Sequence, residues 1–265
     1  MFTYKNLFPF RIGTTSYVYP ADILPNVEKL APLVDDIELV LFESGTESNL
    51  PGPELVRELA ALAQANSLTY TVHFPIDLKA GSGDESEREK YASRACSIVE
   101  RTRELDPYAY IMHFEGIDNG SPAGQILQWR KAVRDTLARM RQKGMRFNRI
   151  CIENLAYPRI YHEDLTAEFN LLNCCDVGHL WVGGNADWAD DCSALMPRTR
   201  VIHLHGTHEG NDHLSLEKEQ TGRIEKLAEC FLRDYRHVLT IETFNEIDTF
   251  TSLEALRKVW DKLRL

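Results

Sequence analysis

The sequence predicts an α/β protein built as a closed (β/α)8 TIM barrel, and three observations predict it. Short apolar runs rich in β-branched residues alternate with longer segments of helical period, and eight strand-like runs can be counted. The chain has 265 residues, close to the roughly 250 that one such barrel occupies. Hydrophobic residues make up 43% and charged residues 26%, a balance that fills a large core and excludes global disorder. An open doubly wound sheet uses the same alternation and is the competing architecture. No low-complexity tract or interdomain linker interrupts the pattern, so residues 1–265 read as a single domain.

The elements follow in order. The first strand is expected at Arg11–Ser16 and the second at Asp36–Phe42. Pro53–Asn66 (PELVRELAALAQAN) places apolar residues at i, i+3, i+4 and i+7, with proline suited to a first turn. A strand at Leu68–Phe74 leads through the polar loop Ala80–Glu87 (AGSGDESE) into a helix spanning Glu85–Glu104. Tyr110–Phe114 is the fourth strand, and Ala123–Lys143 the helix after it. Strands at Arg149–Glu153, Leu172–Asp176 and Val201–His205 come next. A helix over Arg223–Asp234, a strand at Leu239–Thr243 and a helix over Ser252–Leu263 complete the chain.

Composition removes several function classes. The formal net charge is -10 and no run of five basic residues occurs, so a nucleic-acid partner is not expected. The six cysteines form no CxxC pair, which argues against zinc ribbons and redox motifs. The first residues lack a signal-peptide core, and no apolar run approaches the roughly 18 residues of a spanning helix. A cytoplasmic protein without a membrane partner is the expectation. Neither GxGxxG nor GxxxxGK[ST] is present, so nucleotide phosphate cradles of those kinds are not indicated.

The chemistry gathers at the strand ends. The third strand ends at His73, the fourth at His113, the fifth at Glu153 and the sixth at Asp176, with His179 three residues on. The seventh carries His203 and His205 within VIHLHGTHEGNDH, and the eighth ends at Glu242. In an α/β barrel these ends converge on one mouth, and residues two apart on a strand share a face. A lone histidine or glutamate at such a place is ordinarily a hydrogen-bonded structural residue, the reading given to His162 and His208. Six consecutive strands delivering ligand-type side chains to one rim is a different matter, because burying them together is costly unless divalent cations offset the charge.

The pattern HFP, MHFEG, CIEN, DxxH, HLHG and IET, from His73 to Glu242, resembles the xylose-isomerase-like barrel superfamily, which includes endonuclease IV and sugar isomerases and epimerases. The resemblance implies a metal site at Glu153, Asp176, His203 and Glu242. It implies a second at His73, His113 and Glu153, with Glu153 bridging. A third would take His179 and His213. There the pattern departs from the nucleases, which want aspartate two residues before the last histidine where this chain has Asn211; Asp212 is adjacent. Two or three divalent ions (zinc, manganese or iron) are expected, with Glu153 and Glu242 as the catalytic carboxylates.

Two ions roughly 3.5–4 Å apart suit phosphoester hydrolysis. A single ion with a proton-moving carboxylate suits sugar isomerisation or epimerisation. The segment Arg11–Ser44 is similar to the cobamide-remodelling phosphodiesterases of the superfamily, which cut the nucleotide-loop phosphodiester of adenosylated cobamides. That resemblance implies a small-molecule substrate, a cobamide, met near Thr14, Thr15, Ser16 and Glu43. His205, Tyr157 and Trp181 are further candidates for substrate contact, and Lys79 and Arg159 for its phosphate. Tyr17, Tyr19, Phe74, Phe114, Trp188 and Phe244 are the other aromatics of the mouth loops, with about half expected to pack beneath them. A ligand-binding barrel with a degenerate site is the nonenzymatic alternative, and the presence of every core ligand argues against it.

Overall fold

The computed structural model describes residues 3–42, 48–182 and 186–263. In chain order the elements are β1 (Arg11–Thr15), α1 (Ile23–Leu30), β2 (Asp36–Val40), α2 (Pro53–Asn66), β3 (Thr69–His73), α3 (Glu85–Thr102), β4 (Ala109–Met112), α4 (Ala123–Gln142), β5 (Ile150–Glu153), α5 (Glu163–Glu168), β6 (Leu172–Asp176), α6 (Val177–Trp181), α7 (Trp188–Leu195), β7 (Thr199–Leu204), β8 (Gly206–His208), β9 (Asn211–Leu214), α8 (Thr221–Leu227), β10 (Val238–Ile241) and α9 (Glu246–Leu263). Eight strands pair in parallel and close in the order β1-β10-β7-β6-β5-β4-β3-β2. The closed barrel, not the open sheet, is therefore the architecture. Closure leaves none of these eight strands as a free sheet edge.

Several boundaries differ from expectation for local reasons. The segment Arg223–Asp234 divides into α8 and a π-helical turn over Ala228–Leu232. The last helix begins at Glu246 instead of Ser252, where Asn245 accepts the Asp248 amide on its side chain and the Thr249 amide on its carbonyl. After β7 the chain forms an extra antiparallel hairpin, β8–β9, turning through Glu209 and Gly210 in left-handed backbone.

Two hydrophobic layers hold the barrel. The large core lies between the strands and the surrounding helices. A separate plug of Ala109, Ile111, Cys151, Cys174, Val201 and Val238 forms a second buried cluster. Each plug residue precedes a candidate ligand by two or four residues on its strand: Ile111 before His113, Cys151 before Glu153, Cys174 before Asp176, Val201 before His203, Val238 before Glu242. Strand alternation therefore puts the apolar side chains below and the polar ones above on the same inward face.

Asp36 on β2 is an acid placed below the ligand layer. It is fully buried and accepts hydrogen bonds from Thr69 Oγ1 (2.6 Å) and Thr71 Oγ1 (2.9 Å). Burial pushes its carboxyl from 3.8 up to about 7 against the pull of those hydroxyls. The folded state thus holds a proton that the unfolded chain has released. The stabilisation this gives is complete below the unfolded pKa and is lost as pH rises through about 7. Asp36→Asn should therefore gain stability relative to the parent protein as pH rises from about 4 to about 8, by up to roughly 4 kcal/mol. Urea unfolding at both pH values checks this, and a pH-independent difference would exclude it.

Candidate metal centre

Glu153, at the end of β5, is the hub. Its Oε2 lies 3.5 Å from His73 Nε2, 3.1 Å from His113 Nε2 and 3.2 Å from His203 Nδ1. His203 Nδ1 is also 3.0 Å from Glu242 Oε2 and 4.0 Å from Asp176 Oδ2. Two groups of ligand atoms, each within 4.8 Å of one another, share this carboxylate: His73, His113 and Glu153, and Glu153, Asp176, His203 and Glu242. The structure thus brings together all six residues expected at the first two sites. His113 and Glu242 stand one residue beyond the assigned strands, and at Glu242 the ladder continues, since Glu242 N donates to Leu204 O.

The histidines are held with one nitrogen turned away from the centre. His73 Nδ1 meets Phe74 O at 2.8 Å, and His113 Nδ1 meets Glu115 Oε1 at 3.1 Å. That leaves the two Nε2 atoms 3.2 Å apart, facing each other and Glu153. The buried atoms Glu153 Oε2, Asp176 Oδ2, His203 Nδ1, His205 Nε2 and Glu242 Oε2 have no hydrogen-bond partner. Orphaned buried polar atoms are costly, and a mixed oxygen and nitrogen donor set fits a divalent ion. Cys174 also lies near Glu153 and His203. Burial raises its thiol pKa well above the ordinary value, which keeps it protonated and suits it to the plug.

Electrostatics follow from the same contacts. Burial opposes ionisation of Glu153, and His113 and His203 more than offset it, holding the carboxyl well below its ordinary value. Burial would lower His113, but Glu153 and Glu115 push it up to about 10. His205 rises to about 9 through Asp176, again against burial.

A third group forms where the hairpin crosses the mouth. His179, His205 and His213 come together, and Asp212 lies between the outer two, its Oδ2 3.7 Å from His179 Nε2 and its Oδ1 4.0 Å from His213 Nε2. His213 has a left-handed backbone, φ 53°, which breaks strand alternation, and the adjacent Asp212 and His213 both approach His179. Asn211 instead bonds His208 O.

Other expected contacts need correction. Thr14 and Thr15 are buried in the barrel wall, Thr15 Oγ1 donating to Thr243 O, so they lie below the mouth. Ser16 is likewise buried. Trp181 is buried edge-on against Trp188, beneath the surface. His205 is fully enclosed and faces Asp176 instead of solvent. Lys79 is exposed and outside the cavity lining, and Arg159 is engaged by Glu163 on an adjoining groove. Glu43 lies outside the described residues. Tyr157 does line the cavity, although its hydroxyl is committed to Phe114 O. Glu38 was not anticipated: it is fully buried with Oε2 2.9 Å from His203 Nε2. The signal available was a pair of acids two apart in the strand DIELV.

Above the ligands opens a cavity of about 690 Å³, walled by Phe42, Phe74, Ile76, Ile117, Tyr157 and Phe244 among others. Its described lining includes Asp77, Glu115, Asp118 and Asp212 but no lysine or arginine. Because the imidazoles carry raised pKa values, a metal must displace protons to bind them. Zinc affinity, measured by competition with a chromophoric chelator, should therefore rise between about pH 6 and pH 8, with protons released into weak buffer. An affinity independent of pH would remove the imidazoles from the ligand set.

A family model described as xylose isomerase-like TIM barrel matches residues 34–263. No curated protein matches the chain. Among solved structures, a D-tagatose 3-epimerase-like protein is 23% identical, with a TM-score of 0.74 over 96% of this chain and 98% of its own. Endonuclease IV from Thermus thermophilus is 20% identical, with a TM-score of 0.70 over 95% and 99%. A further Thermus thermophilus protein, soaked with ZnCl2, is 21% identical with a TM-score of 0.65 over 96% and 99%. At these identities the structures establish a shared fold, and the family match covers most of the barrel: the chain belongs to the xylose isomerase-like TIM barrels.

Proposed function

We propose that the protein is a metal-dependent phosphodiesterase acting on the nucleotide-loop phosphodiester of a cobamide, within the cytoplasm. The observation that carries the reaction type is the sharing of Glu153 between two ligand groups, with His73 and His113 on one side and His203 on the other. When bound, two divalent ions would neutralise a phosphodiester and stabilise its departing oxygen. His179, Asp212 and His213 are the residues that would hold a third.

The chain's own residues then have distinct tasks. Glu153 ties the two groups together. Glu242 is kept ionised by His203 against the effect of burial, and it borders the cavity, so it can accept a proton there. The apolar walls keep bulk water from the reacting bond; the one water consumed would form the new bond to phosphorus as the bond to the ribose oxygen breaks, and its proton, taken up at Glu242, would leave on that oxygen. The same walls suit a bulky, partly apolar substrate such as a corrin, and the acidic residues at the cavity disfavour a polyanion such as duplex DNA. The similarity of Arg11–Ser44 to cobamide-remodelling phosphodiesterases supports this substrate.

A sugar isomerase or epimerase is the second reading, favoured by the self-contained group Glu153, Asp176, His203 and Glu242. It needs one ion, not two.

Protein loaded separately with zinc, manganese or iron and given adenosylcobamide, sugar phosphates or abasic duplex DNA should yield cobinamide phosphate and a lower-ligand riboside from the cobamide alone, read by mass spectrometry. Glu153→Gln should lower that rate by about two orders of magnitude or more. Release of cobyric acid would mean an amide bond is cut, and conversion of only the sugar phosphates, with one metal per chain, would establish the isomerase.

A further inference from the structure

We propose that Glu38 and His205 are positioning residues for one ion, the one that Glu153, Asp176, His203 and Glu242 would hold. The inference rests on the metal centre of the reading above and not on its substrate. Both residues are fully buried, so neither can touch a substrate in the cavity, and each contacts a different ligand of the same group.

Glu38 acts on His203. Its Oε2 is 2.9 Å from His203 Nε2, reaching across the barrel interior from a strand three places away and 165 residues distant in sequence. A neutral imidazole carries one N–H, and a carboxylate acceptor at Nε2 places it there. The lone pair of Nδ1 is then directed at the space bounded by Glu242 Oε2 and Glu153 Oε2, 3.0 and 3.2 Å away.

His205 acts on Asp176. Its Nδ1 lies 2.9 Å from the backbone N–H of His213 and 3.3 Å from Gly206 O; the shorter contact makes Nδ1 the acceptor in the neutral ring, so that nitrogen carries no proton and offers no free lone pair to a metal. The ring proton falls on Nε2, which faces Asp176 Oδ1 at 3.3 Å. Asp176 Oδ1 also accepts the backbone N–H of His179 at 2.7 Å. With Oδ1 bonded to the His179 N–H and faced by the His205 ring, Asp176 Oδ2, which has no hydrogen-bond partner, is the oxygen left for the ion. Gly178 makes the arrangement possible. A Cβ there would lie 2.1–2.4 Å from three atoms of the His205 ring, so a glycine is required directly beneath the imidazole. His205 also ties the hairpin that carries His213 to a ligand on β6, across the seam between the third group and the buried one.

The competing assignment makes His205 a metal ligand, since it groups with His179 and His213. Nitrogen NMR of zinc-loaded protein labelled with 15N-histidine separates the two, using single histidine-to-asparagine variants for assignment. The expected result is a protonated Nε2 and metal-bound Nδ1 for His203, and a protonated Nε2 and metal-free Nδ1 for His205. Metal on His203 Nε2, or on either nitrogen of His205, would overturn the inference. Chelator competition gives a second reading. Glu38→Leu should weaken one zinc equivalent about 10–100-fold, and Glu38→Gln, which keeps an acceptor, should weaken it less. Gly178→Ala should weaken the same equivalent by displacing the His205 ring. Equal affinities in Glu38→Leu and the parent protein would also overturn it. These signals need zinc alone, so they persist if cobamides are not the substrate.

Discussion

The structure depends on one electrostatic constraint: four carboxylates, Glu38, Glu153, Asp176 and Glu242, are buried together at one end of the barrel. Two like charges about 4 Å apart repel by about 4 kcal/mol at the effective dielectric of a protein. Such a group is tolerable only with cations between its members. In the protein alone the groups set between them are imidazoles, and the neighbouring carboxylates raise the pKa values of His113, His179, His203 and His205 against the effect of burial. Divalent ions satisfy the same requirement with more charge in less space. The mouth of the barrel is therefore costly to fold, and the stability that carries it comes from elsewhere. The outer core and the apolar plug of Ile111, Cys151, Cys174, Val201 and Val238 supply it from below.

That division explains what the sequence made legible. Parallel strands all point the same way, so reading the last residues of successive strands is reading one rim. His73, His113, Glu153, Asp176, His203 and Glu242 stand out in the sequence on that ground. The ends were also where the inward-facing register is set, two residues above an apolar partner on β4, β5, β6 and β7. The closed barrel followed from the repeat count and the chain length. Pattern alone did not separate it from an open sheet; strand β1 pairing with β10 did.

The residues that escaped did so because their roles are relations across the barrel. Nothing local to DIELV says that Glu38 meets His203, and nothing local to HLHG says that His205 is enclosed. Periodicity also does not report depth. Thr14, Thr15 and Trp181 sit at strand ends or in mouth segments as expected, yet neighbouring chain covers them. Asp212, not Asn211, is the residue that approaches His179, and it precedes a residue, His213, with positive φ, a backbone choice that the sequence of the hairpin did not announce.

Burial grades across the ligand groups, and the grading bears on how such a centre works. Asp176 and His203 are sealed and Glu153 nearly so, while His113, His179 and His213 are partly open. Among the ligands, the cavity lining includes His73, His113, Glu153, His179, His213 and Glu242, but neither Asp176 nor His203. An ion held by the buried group would meet a substrate only on the side of Glu153 and Glu242. Ions held by the outer histidines would meet it directly. In the proposed reading, the inner group is then the fixed point against which the others are placed, and the two buried positioning residues belong where they are found, behind the ligands that never face the cavity. Rigid support at the deep ligands and access at the shallow ones are compatible because Glu153 belongs to both.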